Sequence, residues 1–231
     1  LSINSFFCDF SVQDSIRECA DRIKNDLKAI DLLINNAGVV NTEYSETIDG
    51  IENTFAVNHL GYFLFTNLLL DLVKKESESR IINVSSAAHH FVKGMQWDDI
   101  NYKDDFKMGL KAYGQSKLGN ILFTKQLAKK LQKDSVTVNA IHPGGVNTSL
   151  GNQNNSLLGR VLKIILKPFF RSPLKGANTI IYLAEIDGLS ITGAYWVDGR
   201  VAKTSHYSKS EAEAEKLWRL SEKLVNQEFD I

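Results

Sequence analysis

The sequence predicts an α/β domain, a doubly wound parallel sheet with helices on both faces. Three observations point to it. Short apolar runs alternate with longer stretches of helical period. The run Arg80-Ile-Ile-Asn-Val84 has little polar interruption, as a strand buried on two sides requires. Loops of small and polar residues (NAGVV, SSAAHH and HPGGVNTS) each follow such a run directly. In an open parallel sheet those loops meet at the rim where ligands bind.

In chain order, Ile3–Asp9 reads as a first strand and Val12–Lys28 as the helix after it. Asp31–Asn35 is the next strand, followed by a long helical pattern over Thr47–Lys75. Arg80–Val84, a helix over Gly109–Lys133, and the strand Val136–Ile141 continue the alternation. Pro173–Ala184 reads as a helix, Ala194–Val197 as a strand and Ser210–Gln227 as a last helix with an apolar stripe at Leu217, Leu220 and Leu224. All three prolines fall between Ile141 and Leu174, which marks an irregular connection. Neither a repeat nor a low-complexity linker divides residues 1–231, so a single domain is expected.

Bulk composition narrows the function. Lys+Arg and Asp+Glu are 27 each, so net charge gives no reason to expect a nucleic-acid partner. Two cysteines, Cys8 and Cys19, make no disulfide framework, and an intracellular, reducing setting is expected. The apolar run Tyr62–Val73 is interrupted by Thr66, Asn67 and Asp71, so no transmembrane segment is expected from it. The chain opens on Leu1 in what reads as a strand entered partway, and an absent N-terminal part is expected.

Tyr113 and Lys117, in YGQSK, stand one helical turn apart and share a face. An ammonium beside a phenol favours the phenolate, which is how a tyrosine becomes a usable proton donor and acceptor. Ser85 and Ser86 end a strand, where a hydroxyl can donate to a carbonyl oxygen or simply cap a turn. Asn58 lies within a helical pattern it does not favour; its side chain can organise a proton path or satisfy a nearby carbonyl. Asn36, Ala37 and Gly38 offer a flat ring or sugar close access to backbone. Asp9 either meets an adenine amino group or caps the helix after it. His142-Pro143-Gly144-Gly145, then Val146-Asn147-Thr148, is a loop whose backbone and Thr148 hydroxyl can meet an amide and a phosphate. His142 reads as structural, and His89-His90 as a loop pair; no metal site is expected.

Leu158, Val161, Leu162, Ile165 and Phe169 form one helical face and Arg160, Lys163, Lys167 and Arg171 another. Residues 158–171 are expected either to cover an apolar pocket or to contact a membrane surface.

Taken together, D-F, NNAG, the helix asparagine, SS after a strand, Y-x-x-x-K and PGG-x-x-T resemble the short-chain dehydrogenase/reductase family along essentially the whole chain. NVSSAAHH, the 27-residue step from Ser86 to Tyr113 and YGQSKLGNILFTKQLAKKL resemble its retinol dehydrogenase subgroup. The resemblance implies a Rossmann-like fold and NADP(H), rather than NAD(H), as cofactor. It implies a hydrophobic alcohol and its aldehyde or ketone, retinol and retinal in type, as substrates. Catalytic roles fall on Asn58, Ser86, Tyr113 and Lys117. Cofactor contacts fall on Asp9, Asn36, Ala37, Gly38, Val57, Tyr113, Lys117, Pro143, Gly144, Val146 and Thr148. Members of the subgroup are often anchored at their N-terminus, which implies a parent protein on the endoplasmic reticulum or a mitochondrial membrane. The segment WDDINYKDDF is expected beside the substrate mouth.

The family's Gly-rich TGxxxGIG loop does not occur ahead of NNAG. The first two strands of the family fold are therefore expected to be missing. The alternative reading is a truncated, non-catalytic fragment or binding partner that lacks the dinucleotide-binding loop.

Overall fold

A computed structural model describes residues 2–76, 78–144 and 172–231. Its elements are α1 (Gln13–Asp26), β1 (Leu32–Asn35), α2 (Asn53–Phe55), a π turn (Ala56–Leu60), α3 (Gly61–Val73), β2 (Ser79–Val84), α4 (Leu110–Lys130), β3 (Val136–His142), α5 (Pro173–Glu185), β4 (Tyr195–Val197), β5 (Arg200–Val201) and α6 (Glu211–Leu224). The sheet runs β1-β2-β3-β4-β5, parallel from β1 to β4 and antiparallel at the short β4–β5 hairpin. Parallel neighbours need helical crossovers, and the long α3 and α4 connections supply two of them.

Apolar residues divide between the two sides of the sheet. Leu33, Ile81, Val136 and Val138 pack beneath α1, α3, α4 and α6 in the larger core. Ile82, Val84, Ile141 and Trp196 face the other way and meet Leu183 of α5. The strands alternate because successive side chains point to opposite faces. A polar thread crosses the larger core. Asn35 donates to Thr66 Oγ1 and to Asn83 Oδ1, each at 2.8 Å, and Asn83 donates to Thr124 Oγ1 at 2.9 Å. Asn35 and Asn83 are register partners, so the thread fixes the β1–β2 pairing as well as the helices above it.

Local chemistry sets the helix starts. α2 begins at Asn53, not Thr47, because the Glu52 carboxylate accepts from the amides of Thr54 and Phe55, both at 2.7 Å. Thr47–Ile51 instead turns through Gly50 in the left-handed region. Gly109 precedes α4 at φ +69°, where an added Cβ would stand 1.9 Å from the Asn41 carbonyl oxygen. Only glycine fits there.

Ile3–Asp9 is not a strand. It forms no ladder among the described residues; Phe6, Cys8 and Phe10 lie against the core and Ile3 and Phe7 are at 93% and 77% exposure. Period-two patterning is present, but no neighbour offers a ladder, and a strand is defined by its ladder. On its outer side β1 has no neighbour among the described residues.

The helical stretch Asn53–Val73 is 21 residues long and apolar enough by composition to cross a membrane. It starts nine residues ahead of the run singled out in the sequence, which is why the shorter run looked inadequate. Of its most apolar window, 83% is buried in this fold, as for a core helix.

Candidate active site

The rim at the carboxyl ends of β1, β2 and β3 opens into a cleft of about 740 Å3. Asn36, Ala37 and Gly38 come from the loop after β1, Ser85 and Ser86 from the end of β2, and Pro143 and Gly144 from the end of β3. Tyr113 and Lys117 project into the same space from the first two turns of α4. Ile34, Val84, Pro173, Ala177 and Ile180 give the cleft an apolar side.

Lys117 is 3% exposed, and its ammonium donates to the Val84 carbonyl at 3.1 Å. It also lies 5.5 Å from the centre of the Tyr113 ring and 5.8 Å from that of Tyr62. Burial pulls the amine down to about 7. The Tyr113 phenol sits above its ordinary 10, pushed up by burial, while the nearby Ser86 hydroxyl pulls the other way. The lowering of the phenol by Lys117 expected from the spacing does not emerge. With its amine pulled down to about 7, the lysine is already neutral where a phenol above 10 titrates and lends it no charge.

Asn58 stands behind the cleft and is fully buried. It falls in the π turn, an irregularity frequent at functional sites. Its amide closes a two-way clasp on the backbone of Val39, donating to the carbonyl at 2.9 Å and accepting from the N–H at 2.8 Å. It also donates to Ser116 Oγ at 3.1 Å. Gly38 is close: a Cβ there would meet Asn58 Oδ1 at 3.2 Å and Lys117 Nζ at 3.7 Å.

The residues between Tyr113 and Lys117 are all engaged. A Cβ on Gly114 would stand 2.8 Å from the Ala88 carbonyl oxygen, so only glycine lets the Ser86 loop lie this near. Gln115 accepts from the Gln96 amide at 2.7 Å and donates to the Ile100 carbonyl at 2.8 Å. Ser116 takes the Asn58 bond and donates to the Tyr113 carbonyl.

Two of the expected cofactor contacts do not line the cleft. Asp9 spends its carboxylate on the Ser11 amide and hydroxyl, at 2.9 and 2.7 Å, a local turn ahead of α1 and not a cap on it, since the N-cap of α1 is Val12, whose side chain makes no capping bond. Val57 is buried in the π turn. Val146, Thr148 and the whole of 158–171 lie outside the described residues. The insert Trp97–Phe106 does not border the cleft either. Trp97 Nε1 donates to Glu213 of α6 at 2.9 Å, Asn101 accepts from the Glu52 amide, and Phe106 packs on Tyr44. α6 itself buries Ala214, Leu217 and Trp218 against the larger core, not at the opening.

Three further residues support the site, of which the sequence reading singled out only Ser85. Tyr62 is fully buried and donates to the Ala37 carbonyl at 2.7 Å. Ser85 donates to the Lys117 carbonyl at 2.7 Å, and Asn120 to the Val84 carbonyl at 3.1 Å. Helical spacing could have found two of them, since Tyr62 is four beyond Asn58 and Asn120 three beyond Lys117.

Fold and site together define a doubly wound α/β domain with a buried lysine, a phenol and a serine hydroxyl at its ligand-binding rim. A family model described as Enoyl-(Acyl carrier protein) reductase, of the short-chain dehydrogenase type, matches residues 2–199. Retinol dehydrogenase 14 of Mus musculus is 40% identical over 222 residues, 94% of this chain and 65% of that protein. The chain thus spans about two-thirds of the length of that relative. A solved structure of a putative uncharacterized protein from Mycobacterium Paratuberculosis aligns at TM-score 0.74 and 30% identity, over 97% of this chain and 76% of its own. The Pseudomonas aeruginosa RhlG/NADP active-site complex aligns at 0.61 and 26% identity, over 81% and 72%. The chain belongs to the short-chain dehydrogenase/reductase family.

Proposed function

We propose that the protein is an NADP(H)-dependent oxidoreductase that interconverts a hydrophobic alcohol of retinol type and its aldehyde or ketone. The observation that carries this reading is the convergence of Ser86, Tyr113 and Lys117 on one cleft, with Asn58 fixed behind it. The similarity to a retinol dehydrogenase and to an NADP complex supports the substrate and cofactor classes.

The residues present fit a dinucleotide's nicotinamide end. Among the described residues the buried Lys117 ammonium has one oxygen acceptor for three donors, and it faces the gap that a side chain at position 38 would fill. Sugar hydroxyls suit such a donor; Asn36, Ala37, Pro143 and Gly144 would flank the group. When bound, the cofactor supplies or accepts the hydride. Ser86 donates a hydrogen bond to the substrate oxygen and orients it. Tyr113 gives that oxygen a proton in reduction and takes it in oxidation. Lys117, charged by a sugar acceptor, steadies the phenolate. Asn58 holds Val39 and Ser116 in place, keeping the floor of the cleft fixed. Ile34, Val84 and Ile180 provide the apolar surroundings a lipid alcohol needs.

Tyr113→Phe is expected to remove at least ~99% of NADPH-dependent retinal reduction while NADPH affinity stays within about threefold. Unchanged turnover would sink the assignment.

A further inference from the structure

We infer that His89 is a positioning residue, holding the backbone of Ser86 through a single neutral tautomer fixed from both sides. The inference rests on the hydride-transfer reading above. His89 is fully buried, three residues past Ser86 in the short 3-10 turn Ala87–Phe91. Its Nδ1 lies 2.6 Å from the Ser86 carbonyl oxygen and its Nε2 lies 3.2 Å from the Ser205 backbone nitrogen. A carbonyl only accepts, so Nδ1 carries the proton. A backbone amide only donates, so Nε2 is bare. Both contacts demand the same tautomer. The other neutral form breaks both bonds, and the imidazolium sets two donors face to face at Ser205.

The bridge has a continuation. The Ser205 carbonyl accepts from the Ser208 amide at 3.2 Å and hydroxyl at 2.8 Å, and the Ser208 carbonyl accepts from Lys125 Nζ at 2.7 Å. Lys125 lies on α4, about three turns past Tyr113. Ser86 and Tyr113 thus share a cleft and are also tied through His89, Ser205, Ser208 and Lys125, on a path that never enters it. The Ser86 side chain is held locally, its Oγ accepting from the Ala88 amide at 3.2 Å. His89 fixes the backbone that carries it. The His90 ring lies 3.9 Å from the His89 ring and Tyr195 5.1 Å from it, so the imidazole has no room to rotate away.

The test uses three variants and one spectrum. His89→Asn puts an amide N–H where Nδ1–H lies and gives up Ser205; His89→Gln reaches Ser205 and gives up Ser86; His89→Ala gives up both. Retinal reduction at saturating NADPH is expected to fall about 10- to 100-fold in kcat for His89→Gln and His89→Ala, as for a displaced reacting group, with KM and NADPH affinity unchanged. His89→Asn is expected to keep kcat within about threefold of the wild type. A His89→Gln enzyme as fast as the wild type, or a His89→Asn enzyme as slow as His89→Ala, overturns the inference. Nitrogen-15 spectra of the unaltered protein are expected to find His89 neutral with its proton on Nδ1; a proton on Nε2 overturns the inference even if every variant misfolds. Absent turnover in the unaltered protein would instead defeat the oxidoreductase reading, and the spectrum would still decide the wiring.

Discussion

Among the described residues Lys117 makes one hydrogen bond, and it is almost wholly enclosed, so its charge is held at a cost. In the unfolded chain a lysine amine titrates near 10.4; here it titrates at about 7. Between those values the unfolded chain holds the extra proton, so stability gains with rising pH across that window and the full cost is carried below it. Lys117→Met is therefore expected to raise the nucleotide-free Tm at pH 6, to raise it little at pH 10, and to abolish turnover. Equal Tm shifts at the two pH values would contradict this. His59 gives a slope of the same sign, in a lower pH window. It is fully buried and held at about 4, so it contributes in full above the unfolded value near 6.5 and loses that contribution as pH falls through 4. The contribution is about 3 kcal/mol, and urea midpoints between pH 7 and 4 are expected to drop more steeply in the wild type than in His59→Gln. Tyr113, Lys117, Ser86 and Asn58 were legible in the sequence because spacing and loop position betray them. His89 was not, since the bond it accepts from the Ser205 amide, distant in sequence, leaves no local pattern, and Tyr62, whose partner is the Ala37 carbonyl, left only its helical spacing from Asn58.

α4 is the element on which the others register. Its start depends on Gly109, where both the left-handed backbone and the Asn41 carbonyl exclude a side chain. Gly109→Ala is expected to destabilise the fold by at least ~2 kcal/mol in urea denaturation, more than the usual helix-end glycine substitution. Within α4, Gly114, Gln115 and Ser116 bind three separate segments over one turn. Helices and buried parallel strands were readable from period and apolar continuity. The onset near Asn53 was not, because the Glu52 cap stands within an otherwise helical pattern. Ile3–Asp9 misled for a reason of principle: alternation reports which side chains are buried, and says nothing of whether a neighbouring strand exists.

At the scale of the molecule the two sheet faces are unequally clothed. Three long helices and α6 cover one; among the described residues α5 alone covers the other, and Ile34 on β1 remains 39% exposed. An unpaired parallel strand with apolar side chains is a template for another chain. Sedimentation of this chain at increasing concentration is expected to reveal self-association that Ile34→Lys reduces; a monomer at all concentrations would argue against it.

The placement of Trp97–Phe106 separates two tasks that the sequence ran together. That segment is stitched to Glu52, Gln115 and Glu213 and is absent from the described lining of the cleft, so we expect it to brace the fold and not to select substrate. Exchanging it for the corresponding segment of a relative should change how hot the protein can be heated while leaving its choice among aldehydes untouched.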